Sequence, residues 1–145
     1  MNDERAQRVR LFFDRVWNAR DYSAGDDLYG PGFTDPRAPG LAGGAAKSAT
    51  IAPYHDAFPD LRADIEQLTA CDDTVAVRFR LTGTDNAAGF LGRPPTGRRV
   101  TTWAVNFLTF DDDFVTDEWA GVDYLGVFMQ LGVITSPWPH DAAPA

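Results

Sequence analysis

At about residue 61 the hydrophobic repeat of this chain changes from 3.6 residues to 2, and no other feature of the sequence restricts its fold so strongly. Before that point, Val9, Phe12, Phe13, Val16 and Trp17 fall on one helical face within residues 4–20. Asn2 or Asp3 can cap that helix, and the acidic Asp3 and Glu4 suit its positive end. Residues 21–29 read as a second short helix, broken at Gly30-Pro31-Gly32. The glycine- and proline-rich stretch 30–44 is expected to form a pocket-edge loop, and a third helix over 45–57 ends at Phe58-Pro59.

Beyond the change of period, four segments read as strands: 61–70, 74–84, 99–110 and 114–120. Cys71-Asp72-Asp73 and Asp111-Asp112-Asp113 supply hairpin turns, and 85–97 is a long glycine- and proline-rich connection. A closing helical segment spans 123–131, so residues 1–134 are expected to form one domain and 135–145 a disordered tail. Helices followed by a meander predict an α+β fold, with N-terminal helices packed on a curved antiparallel sheet. In 99–110, Val100, Ala104 and Leu108 oppose Trp103, Val105 and Phe107, so both faces are apolar. Either a partner subunit covers one face, or the sheet curls around an apolar cavity closed by the helices.

A net charge of −8 repels phosphate backbones and anionic lipid, so nucleic acid and membranes are not expected partners. The charged start MNDERAQRVR lacks the apolar segment of a signal peptide, and one cysteine cannot close an internal disulfide; both point to the cytoplasm. The two histidines, His55 and His140, are too few and too far apart for a metal ligand set. No dinucleotide, Walker or GxSxG motif is present, so no bound metal or cofactor is expected.

Four stretches carry a resemblance: FPDLRADIEQL, LTGTD, FLGRPPTGRRV and FVTDEWAGVDYLGVFMQLGV. In this order they resemble the SnoaL-like polyketide cyclases of the NTF2-like (nuclear transport factor 2-like) superfamily, from about residue 8 to 134. The resemblance implies an α+β cone, dimeric or tetrameric, with a pocket between helices and concave sheet. It implies a cofactor-independent enzyme that closes a ring in an aromatic polyketide by intramolecular aldol condensation. The family's central aspartate falls on Asp123, just beyond the last strand. Some members are instead implicated in hydroxylating anthracycline-type intermediates, and a non-catalytic NTF2-like binding or dimerisation module is a third reading. Two positions depart from the family pattern: Thr34 and Asp85 stand where many relatives carry histidine.

An aldol closure needs a base at the acidic carbon and a proton for the alkoxide, and one carboxylate can supply both. Asp123 fills that role on this reading, or caps the helix that begins at Tyr124, or does both. Trp17, Phe58, Trp103 and Trp119 are expected to wall the pocket and raise the pKa of the acid, with indole N–H groups orienting carbonyls. Between the neighbours Glu118 and Trp119 only one can face inward, and Trp119 is assigned there. Thr34 joins the pocket set. His55 is a second acid–base group or a helix-end histidine. Arg78 orients a carbonyl or pairs with Glu66 or Asp64 across the sheet. Asn106 is a pocket hydrogen-bonder or an interface group. Phe90, with Leu91, covers the pocket mouth or packs on a neighbouring subunit.

Overall fold

The computed structural model describes residues 2–137. Residues 138–145, most of the expected tail and including His140, lie outside the described residues. The chain runs α1 (Asn2–Phe12), α2 (Gly43–Ala57), β1 (Arg62–Cys71), β2 (Thr74–Thr84), β3 (Arg99–Asp111), β4 (Phe114–Val122) and α3 (Tyr124–Gln130). The strands form one antiparallel sheet in the order β1-β2-β3-β4, with the helices on its concave face. The expected α+β layering and meander are therefore present.

The first helix is less regular than its period suggests. After Phe12 it widens into a π-type turn, Phe13–Asn18, with the Ala19 amide donating back to the Asp14 carbonyl. The extra residue per turn lets Phe12, Phe13, Val16 and Trp17 all face the core. Phe13 and Trp17 sit edge-on and tilted against Phe79 of β2, at ring distances of 4.7 and 5.8 Å. The expected second helix is a short 3-10 stretch, Tyr22–Asp27. The helix over 45–57 is α2, begun two residues earlier.

Alternation along β2 and β3 sorts residues cleanly. Val75, Val77, Phe79 and Leu81 face the helices, as do Val100, Thr102, Ala104, Asn106 and Leu108. In β4 the alternation is interrupted. Thr109 pairs with Asp117 but the next residue, Phe110, pairs with Val115, leaving Thr116 as an extra bulged residue. The bulge reverses the parity, so Val115 before it and Glu118 after it both face inward. Beyond the bulge, Leu108 pairs with Glu118 and Phe107 with Trp119. Trp119 is therefore on the outer face, 60% exposed, and its assignment to the pocket wall is corrected.

The same face carries Trp103, 53% exposed, and Phe107, 45% exposed, so Trp103 does not line the interior either. Arg78 also lies outside, paired to Glu66 at 3.3 Å, and Arg80 reaches the same carboxylate at 3.0 Å. The ion pair, not the carbonyl contact, is what Arg78 makes.

Candidate functional site

Between the helices and the sheet lie two inner chambers of about 30 Å³ each, and outside them a vestibule of about 460 Å³. Tyr54 borders all three.

The first chamber is polar at one end. Lys47, Thr50, Ile51 and Tyr54 point into it from one face of α2, at i, i+3, i+4 and i+7. Trp17, Phe79, Leu81, Ala104, Asn106 and Glu118 face them from the π-type turn and the sheet. Glu118 is the carboxylate of this lining. Its Oε1 accepts from Lys47 Nζ at 2.6 Å and its Oε2 from Tyr29 Oη at 2.5 Å. Both side chains of the ion pair are buried, at 5% and 3% exposure. Burial first, and then the Glu118 charge, hold the Tyr29 phenol well above its ordinary pKa, so it remains a donor. Lys47 also lies 5.6 Å from the centre of the Tyr29 ring.

Among the described residues, two donors in this chamber have no protein partner. Trp17 is buried and its Nε1 makes no hydrogen bond. Asn106 is 5% exposed, and no hydrogen bond engages its side-chain amide among the described residues. Native interiors rarely leave a buried N–H such as that of Trp17 unpaired, because desolvation without a partner costs about 1–3 kcal/mol. Arg37, at the border with the vestibule, is held by Asp35 through bonds of 3.0 and 2.7 Å. Hydrogen bonding to Arg37 in turn keeps the Asp35 carboxyl below its ordinary range.

The second chamber is almost wholly apolar, lined by Phe58, Leu61, Leu81, Phe90, Val100 and Val127 with Thr102 among them. Phe58 fits closely over Gly83, where an added Cβ would come within 2.8 Å of the Phe58 Cβ. Phe90 lines both this chamber and the vestibule.

The remaining sequence candidates lie elsewhere. Asp123 caps α3, its Oδ1 accepting from the Gly126 amide at 2.9 Å, and it lines neither chamber nor the vestibule. Thr34 is exposed on the loop before α2 and borders none of the three spaces either. His55 is buried behind the chamber, between the Trp17 carbonyl at Nε2 (2.8 Å) and the Tyr22 phenol at Nδ1 (2.6 Å). The carbonyl can only accept, so Nε2 carries the proton and Nδ1 accepts from Tyr22. His55 is thus a core histidine that anchors Trp17, not a group that meets a ligand.

Burial lowers the His55 pKa below the ordinary histidine value of 6.5. The unfolded chain therefore binds the proton more readily, and the stability His55 contributes is complete above pH 6.5 and lost as pH falls through its depressed folded value. Thermal melts between pH 7.5 and 5 should show a larger fall in Tm for the wild type than for His55→Gln. Equal slopes would remove His55 from the acid response.

Among the described residues, no group of three or more His, Cys, Asp or Glu side chains is placed to hold a metal ion, and no helix is long and apolar enough to cross a membrane.

A helical layer closing a curved four-stranded sheet over internal chambers is the α+β cone of the NTF2-like proteins. The chain belongs to the SnoaL-like polyketide cyclase family, whose model matches residues 7–131. A candidate SnoaL-like polyketide cyclase from Jannaschia sp. CCS1 is 27% identical, with a TM-score of 0.79 over 92% of this chain and 94% of that one. AclR, a candidate hydroxylase from Streptomyces galilaeus, is 26% identical with a TM-score of 0.80 over 97% and 88%. A candidate polyketide cyclase from Acidithiobacillus ferrooxidans is 28% identical with a TM-score of 0.72 over 89% and 95%. No curated protein matches the sequence significantly.

Sequence reasoning missed Glu118, Lys47, Tyr29 and Tyr54. For Lys47 and Tyr54 a signal existed: they continue the inward face of α2 when polar residues are admitted to the periodicity. For Glu118 it did not, because the Thr116 bulge leaves no mark in residue type.

Proposed function

We propose that this protein is a cofactor-independent, cyclase-like enzyme that closes a ring in an aromatic polyketide by intramolecular aldol condensation, with Glu118 as its acid–base group. The observation that carries this reading is the buried Glu118 carboxylate in a chamber that also presents Lys47, Trp17 and Asn106 as donors. Glu118 takes the proton from a carbon between two carbonyls, leaving an enolate beside Lys47. The ammonium keeps a negative partner throughout, first the carboxylate and then the enolate oxygen, so the chamber's net charge does not change. The enolate carbon attacks a ketone carbon of the same molecule, a C–C bond forms, and the carbonyl electron pair moves to oxygen. Trp17 and Asn106 donate to that oxygen as its charge develops, and Glu118 returns the proton to it. Atoms balance without oxidant or reductant.

Incubating the protein with an aromatic polyketide ester that bears an uncyclised β-dicarbonyl chain should give a ring-closed product of unchanged mass (water loss aside) under argon as in air. The likeness to AclR favours a second reading, hydroxylation of an anthracycline-type intermediate. A product heavier by one oxygen, formed only in air with a reductant, would replace the first reading with that one. Tight binding of such compounds with no product would leave a binding module.

The exposed aromatic face of β3 and β4 belongs to the same proposal, as a homodimer contact in the cytoplasmic protein. Trp119 meets Phe107 edge-on at 5.9 Å, and Trp103 is exposed on the same face of β3, a grouping of large apolar side chains that monomers seldom expose. Trp119→Asp should convert a dimer to a monomer in sedimentation velocity. A wild-type monomer at micromolar concentration would dismiss the contact, and a tetramer reduced only to dimers would place a second contact elsewhere.

A further inference from the structure

Each inner chamber has room for a water molecule or two and not for an aromatic ring, yet the two share part of one wall. Tyr54, Leu81 and Val122 are common to both, and of these only Tyr54 also borders the vestibule. Its phenol oxygen lies 2.5 Å from that of Tyr124 on α3, one hydroxyl donating to the other. Its ring leans on Trp17 at 6.2 Å and on Phe90 at 5.7 Å. Pro53, immediately before it, has no N–H to donate to the Ala49 carbonyl, so the helical ladder lacks a bond in the turn that carries Tyr54.

We propose that the two chambers are halves of one ligand site, that Tyr54 is the swinging partition between them, and that its bond to Tyr124 is the latch a ligand must break. Taking the interior as the ligand site rests on the reading above, but the inference does not need catalysis. With Tyr54 turned out, the joined space opens to the vestibule and has a fixed polarity. Phe58, Leu61, Val100 and Val127 line one end. Lys47, Glu118, Asn106 and the unpartnered Trp17 Nε1 line the other. Such a site selects fused aromatic rings whose oxygens gather at one end, with the plain hydrocarbon end beneath Phe58 and Phe90.

Two naphthalene probes test this: 2-acetyl-1-naphthol, with both oxygens at one end, and 1,5-dihydroxynaphthalene, with oxygens at opposite ends. Calorimetry on the wild type should find the first at least about tenfold tighter, the scale set by one or two unmatched buried hydrogen bonds. Stopped-flow binding of that probe should accelerate about three- to tenfold in Tyr124→Phe and in Tyr54→Phe, since both lose the latch and keep the rings. Asn106→Leu should weaken 2-acetyl-1-naphthol and leave naphthalene unchanged. Equal affinity for the two oxygenated probes, or unchanged rates in both phenylalanine variants at unchanged Tm, overturns the proposal. Binding as described without any turnover would sink the cyclase reading and leave this one standing.

Discussion

Glu118→Gln is expected to lower kcat by about 100- to 10,000-fold, the contribution of one well-placed acid–base group, while Asp123→Asn stays close to the wild-type rate. The contrast follows from where the two carboxylates sit. Glu118 lies in the chamber with Lys47 and Tyr29 on its two oxygens. Asp123 is occupied by the Gly126 amide at the start of α3, a task that asparagine performs as well as aspartate. Removing the Asp123 cap altogether, in Asp123→Ala, should cost about 1 kcal/mol of stability with kcat retained. Steady-state rates and urea unfolding of the three variants separate the roles. An inactive, well-folded Asp123→Asn beside an active Glu118→Gln would return the chemistry to the aspartate that the family resemblance indicates.

That the two carboxylates are only five residues apart shows where sequence reading reaches its limit. Period 3.6 before residue 61 and period 2 after it suffice for helices, strands, turns and layer order, because these depend on local patterning. The wide turn at Phe13–Asn18 is not legible, since nothing in FDRVWN demands an extra residue per turn. Nor is the Thr116 bulge, and with it goes the orientation of every later residue of β4: one unpaired residue exchanges Trp119 for Glu118 at the chamber wall. The bulge sits where Tyr29 bridges to Val115, an encounter between distant segments. Lys47 and Glu118 are 71 positions apart and Tyr29 and Glu118 are 89 apart, so their meeting is a property of the fold. Trp17, Phe58 and Phe90 are apolar groups that local patterning marks for burial, whereas the partners of Glu118 are set by tertiary contacts.

The second large effect concerns stability. Lys47→Met and Glu118→Leu should each destabilise the protein by about 3–5 kcal/mol, because each leaves a buried charge without its counter-ion. Glu118→Leu also strands the buried Tyr29 hydroxyl, at a further cost of about 1–3 kcal/mol. The triple variant Lys47→Met, Glu118→Leu, Tyr29→Phe removes every member of the network at once. Its stability should return to the wild-type value or exceed it, since apolar packing of similar volume commonly matches a buried ion pair. Urea unfolding at one fixed protein concentration measures this, so that any subunit association contributes equally to each variant. The stability of the triple variant separates two roles for the pair. If it is as stable as the wild type and inactive, the ion pair contributes nothing to folding that three apolar residues cannot supply, and its place in the chamber belongs to chemistry. If it stays several kcal/mol below the wild type, Lys47 and Glu118 are structural, and the acid–base assignment loses its main support.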